Sequence, residues 1–158
     1  MIKKLFFVLF LLVSINICTY GLTFMGAALG SSPTSFTNIL KSKGCYYVTT
    51  NYGSPGYTEY YKGKYWQFTN ATIALCVAHN RVESVHVEWE YTSSATQLIA
   101  ELDKKYGRHT SKDNYDPVLG YVGQVCTWYV SDGYVQLFWD KSIGLIVSYY
   151  LGNPNSDL

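Results

Sequence analysis

Apolar and polar residues alternate from Val82 to Tyr91. Val85, Val87, Trp89 and Tyr91 fall on one side, and Ser84, His86, Glu88 and Glu90 on the other. A period of two with one apolar side predicts an antiparallel strand that buries one face and wets the other. Similar strand-forming runs, rich in Tyr, Val and Thr, occur in CYYVTTNY, YTEYYKG, KYWQFTN, TIALCVAH, GYVGQVCTWYV, YVQLFW and IGLIVSYYL. Turn-forming residues separate them at YGSPG, Lys62-Gly63, Asn80-Arg81, Ser131-Asp132-Gly133 and Asp140-Lys141. The glycine-spaced TFMGAALG (23–30) reads as extended chain or a short strand. RHTSKDNYDP reads as a loop or weak edge strand, and GNPNSDL as a fraying tail.

Two stretches switch to helical spacing. In the first, Ser32 caps, Pro33 takes the first helical position, Phe36, Ile39 and Leu40 form a stripe, and Gly44 ends it. In the second, Ser94 and Gln97 form a capping box, and Leu98, Leu102 and Tyr106 share a face before Gly107. The two also resemble each other: Ser31, Ser32, Thr34, Leu40 and Lys43 recur as Ser93, Ser94, Thr96, Leu102 and Lys105. Tyr61-x-Gly63 recurs as Tyr121-x-Gly123 at nearly the same separation, and the hairpin about Asn80 answers the one about Lys141. The fold expected is therefore α+β: two tandem helix-then-antiparallel-sheet units, of about 22–92 and 93–152, with both helices packed on the sheet. Its buried strand face includes Val85, Val87, Trp89, Leu137, Trp139, Leu145 and Val147.

The start of the chain stands outside this pattern. Lys3 and Lys4 precede LFFVLFLLVSINI, a charged and then apolar run too short to span a bilayer comfortably. Residues 1–21 read as a signal peptide, with Thr19 and Gly21 as the small residues before a cut after Gly21. Lipidation of Cys18 is the alternative, as Ile15-Asn16-Ile17-Cys18 loosely matches a bacterial lipobox in which Ile17 is bulky for its place. The expected location is periplasmic or extracellular, or the outer membrane through Cys18, with no membrane span once the leader is gone.

Composition narrows the function. The 158 residues are 48% hydrophobic and 15% charged, with a net charge of +1, enough apolar material for a core and no basic patch for nucleic acid. Past the leader only Cys45, Cys76 and Cys126 remain, without metal-binding spacing, and are expected as buried free thiols on strands. His86 with Glu88 and Glu90 could offer ligands to a metal, but a solvated strand face is the far commoner reason for such spacing, and no metal is expected. His79 and His109 fall in a turn and a polar loop. Asp113, Asp116, Asp132 and Asp140 suit turns, and Asp103 a helix surface. No nucleophile motif or paired carboxylate stands out, so neither an enzyme nor a cofactor is expected.

The compositional excess is tyrosine, with 16 copies. Tyr46, Tyr47, Tyr52, Tyr57, Tyr60, Tyr61 and Tyr65 crowd together just before Trp66, and strand neighbours such as Tyr46 and Tyr47 must face opposite ways. Exposed rings with a polar tip make contact surface. The expectation is an exported, non-enzymatic binding protein gripping a protein or envelope partner through an aromatic sheet face, with Tyr47, Tyr61 and Trp66 as its contacts. A carbohydrate-binding or glycan-processing protein is the alternative.

The segment FMGAALGSSPTSFTNILKSKGC resembles the opening of a group of exported Bacteroidetes proteins, through Phe24, Gly26, Leu29-Gly30, Ser31 to Thr34, Phe36, Leu40, Lys43 and Gly44. Lys105 to Gly107 is similar to the group's second-half pattern. That resemblance implies export and a compact α+β fold, and no activity. In element order alone, the doubled unit resembles the β-lactamase-inhibitor-like and outer-membrane-assembly lipoprotein folds. Those inhibitors carry a helix pair where this chain has one helix.

Overall fold

The computed structural model describes residues 21–89, 95–116, 120–140 and 144–152. Leader residues 1–20, Glu90 and Tyr91 of the alternating strand, the proposed Ser94 cap, Lys141 of the last turn and the tail beyond 152 lie outside them. In chain order come β1 (Thr23–Phe24), β2 (Ala27–Ala28), α1 (Pro33–Ser42), β3 (Tyr46–Tyr52), β4 (Gly56–Tyr65), β5 (Phe68–Ala78) and β6 (Arg81–Trp89). There follow α2 (Ala95–Tyr106), β7 (Thr110–Asp116), β8 (Gly120–Val130), β9 (Gly133–Asp140) and β10 (Gly144–Leu151).

The α+β expectation of two tandem units is corrected. The protein is mostly β, and β3 to β10 form one eight-stranded antiparallel sheet in the order β3-β4-β5-β6-β10-β9-β8-β7. The seam that removes the division is β6 against β10, where Trp89, Val87 and Val85 face Leu145, Val147 and Tyr149 in unbroken register. Alternation in β6 reveals which side is buried. It does not reveal what pairs with the strand's edge, and that long-range pairing fuses the strands into a single sheet. The helices of 10 and 12 residues are minor parts.

One side of the sheet holds the core. Ile73, Leu75, Val85, Val87, Leu137, Leu145 and Val147 are buried there with Phe36 and Leu40 of α1 and Leu98 and Leu102 of α2. Trp139 is half-buried against them. Ser32 caps α1 by accepting from the Ser35 N–H at 3.3 Å, which satisfies a backbone donor the helix start would otherwise leave open. In α2, Asp103 accepts from the Trp128 indole N–H at 2.9 Å and lies 2.7 Å from His109 Nδ1, tying the helix to β8 and to the start of β7. The β1–β2 hairpin places Phe24 in the core, 5.5 Å from the Tyr65 ring and 5.3 Å from that of Tyr149.

Two strand boundaries also move. Lys62-Gly63 is not a turn: β4 continues to Tyr65 with an irregularity between Gly63 and Tyr65. The chain reverses instead at Trp66-Gln67, where Trp66 takes φ 51°. The polar stretch after α2 is a full edge strand, β7, paired with β8 from Thr110 onward.

Candidate functional site

No described element covers the second side of the sheet. Register carries a row across seven of its eight strands, from β3 to β8: Asn51, Thr58, Cys76, Ser84, Tyr150, Tyr134 and Tyr129. The ring centroids of Tyr129 and Tyr134 are 6.5 Å apart, Tyr134 stacks on Tyr150 at 4.6 Å, and His86 meets Tyr150 edge-on at 5.4 Å. Side chains on a sheet stand upright, so stacked neighbours turn their faces to each other and offer edges and hydroxyl tips to solvent.

At the middle of this side, His86 is held from both ends of its ring. Nδ1 lies 2.9 Å from Ser148 Oγ and Nε2 lies 3.2 Å from Ser84 Oγ. Hydrogen bonding to His86 draws the Cys76 thiol down to about 7, against burial that pushes it up; Ser84 and Thr58 assist. Lowering a thiol in this way raises its thiolate fraction at neutral pH above that of an ordinary cysteine, and the thiolate is a nucleophile and a soft ligand. Cys45 and Cys126 differ: burial raises both, Cys126 to about 11. A shallow cleft of about 370 Å³ lined by Asn51, Tyr52, Thr58, Cys76 and Ser84 joins this cluster to the end of β3. A second, of about 500 Å³, lies farther along over Lys62, Thr72, Glu88 and Ile146.

The two sheet edges are unlike. On β7, Lys112 and Asp113 stand exposed. On β3, YYVTTNY carries no charge and no proline. Among the described residues, the exposed large hydrophobics are Tyr46 at 60%, Tyr47 at 50%, Val48 at 49% and Tyr52 at 87% on this strand, with Tyr129 on β8. Edge strands present unpaired backbone groups and are commonly guarded by charge, proline or irregularity. The guard on β3 is a register shift between Tyr47 and Thr49.

The three residues expected as contacts separate. Tyr47 is exposed, on the helix-bearing side at the edge, and meets the Tyr61 ring at 5.8 Å. Tyr61 itself is only 2% exposed, with its hydroxyl donating to Glu59 at 2.9 Å. Trp66 sits at the β4–β5 reversal, half-buried against Phe68 at 5.5 Å. Of the tyrosine cluster, Tyr61 and Tyr65 are buried while Tyr46, Tyr47 and Tyr52 stay exposed. The Cys76–His86 pair escapes a motif search because the two come from different strands. Its signal is the hairpin between them, which sets Cys76 opposite Ser84 and Ala74 opposite His86, leaving the cysteine and histidine diagonal neighbours.

Among the described residues no three His, Cys, Asp or Glu side chains cluster to hold a metal, and no helix is long and apolar enough to cross a membrane. No protein-family model, curated protein or solved structure was found to match the chain.

Proposed function

We propose that this is an exported binding protein that takes an extended segment of a partner protein along β3, with the uncovered sheet face beside it completing the contact. The observation that carries the reading is the concentration of exposed large apolar side chains on one uncharged edge strand. An added strand gains backbone hydrogen bonds from the edge, and alternate side chains of the partner gain Tyr46, Tyr47 and Tyr52 as contacts. The cleft between Tyr52 and Cys76 continues that surface onto the sheet. Glycan binding has less behind it, because Tyr134 and Tyr150 spend their ring faces on each other at 4.6 Å.

The test is capture of partners from envelope extract, comparing the native chain with Tyr46→Lys/Tyr52→Lys at the β3 edge and with Lys112→Ala at the β7 edge. A specific protein retained by the native chain and Lys112→Ala, and lost by the β3 variant, is the expected result. Retention by the β3 variant at full affinity overturns the reading.

A further inference from the structure

A backbone donor near the start of the described residues ends on a carboxylate 110 residues away. The Leu22 N–H donates to Asp132 Oδ2 at 2.7 Å. Leu22 is buried, and its carbonyl accepts from the Leu29 N–H at 2.9 Å, so its place in the β1–β2 hairpin is fixed. Asp132 is fixed too: it sits in the β8–β9 turn, and its own carbonyl accepts from the Gly152 N–H at 2.8 Å. Its other carboxylate oxygen, Oδ1, is buried and has no partner among the described residues. A buried carboxylate oxygen without a donor is costly, and one amide N–H cannot serve both oxygens.

We propose that the chain is hydrolysed between Gly21 and Leu22, and that the α-ammonium so formed on Leu22 becomes the counter-charge of Asp132. Water adds across the amide: its oxygen passes to the Gly21 carbonyl as a carboxylate, and the Leu22 nitrogen leaves as the protonated amine. The reagent is a peptidase of the export machinery, acting before the hairpin folds, since Leu22 is buried afterwards. The new terminus offers three donors and a full positive charge where the uncut chain offers one neutral N–H. That is the chemistry Asp132 lacks: a positive charge opposite the carboxylate and a further donor for Oδ1.

The chain is expressed with residues 1–158 in a host that exports it, and the mature protein is weighed. A terminus at Leu22 is expected; a terminus elsewhere, including a lipid-bearing Cys18, overturns the proposal. A chain released from a fusion so that Leu22 is first is then melted beside its Nα-acetylated form, each with Asp132 and with Asp132→Asn. Acetylation should lower Tm by about 3–6 °C with Asp132 and leave it unchanged with Asn. An equal effect in both, or none in either, overturns the ion pair. Should Asp132→Asn fail to fold, limiting acetic anhydride decides. The Leu22 amine should label several-fold more slowly in the folded chain than in urea, and equal labelling overturns the proposal.

Discussion

The hydroxyls of Tyr65 and Tyr149 meet at 2.7 Å, 84 residues apart in the chain, beneath the ring of Phe24. They join β4 to β10 across the core side of the sheet, and their protons are held by burial. Desolvation pushes Tyr65 up to about 12, and Tyr149 lies well above the ordinary tyrosine range for the same reason. A group whose folded value is raised contributes stability that is whole below the unfolded value, near 10, and is lost as pH climbs through the folded one. Urea unfolding should therefore show a midpoint that declines above about pH 10, and Tyr149→Phe should flatten that decline. At neutral pH the same variant leaves the Tyr65 hydroxyl alone and should cost about 1–3 kcal/mol.

The three described cysteines should separate by reactivity. Cys76 should alkylate first with iodoacetamide, its rate rising through about pH 7, while Cys126, held near 11, stays slow until the chain unfolds. His86→Ala should move the Cys76 midpoint upward by removing the main cause of its shift. Mass mapping of labelled peptides reads this directly. Equal labelling of Cys76 and Cys126 in the folded protein would contradict the lowered Cys76 thiol.

Leu102 is buried on the inner stripe of α2, within the cluster that includes Trp128. Leu102→Ala should cost about 2–5 kcal/mol in chemical denaturation, with the spread set by how far the cavity collapses.

Two glycines let neighbouring strands approach closely by having no side chain. A Cβ on Gly56 would lie 1.8 Å from the Val77 carbonyl oxygen, and one on Gly123 would lie 2.0 Å from that of Trp139. The obstacle is paired backbone, which cannot swing aside. Gly56→Ala and Gly123→Ala should each cost about 1–3 kcal/mol or more, measured by urea midpoint, with local loss of amide protection in β5 and β9.

What could be seen in advance follows from range. Strand character in β6, β9 and β10, the Ser32 cap and the inner residues of both helices depend on neighbours a few positions away, and the alternation of Val85, Val87 and Trp89 states them. The β6–β10 seam depends on residues 62 positions apart, as with His86 and Ser148, and no local pattern declares it. Lys62-Gly63 has the composition of a turn, yet the Gly63 site lies where a Cβ would meet the Cys45 sulfur at 2.5 Å, so the glycine serves close packing. Tyr61 illustrates the same limit at the surface. Alternation placed Tyr60 and Tyr61 on opposite sides but could not say which side α1 would cover.

The unequal edges determine what happens after a strand is added. With β3 open and β7 carrying exposed Lys112 and Asp113, growth has one polarity. Two copies meeting β3 to β3 would be related by a two-fold axis and would leave a charged β7 at both outer ends, so the assembly closes. Head-to-tail stacking of β3 on β7 would instead repeat without limit, the geometry of a fibre, and the charges on β7 oppose it. A tyrosine-rich edge can thus remain open for recognition without making the molecule a polymerising unit.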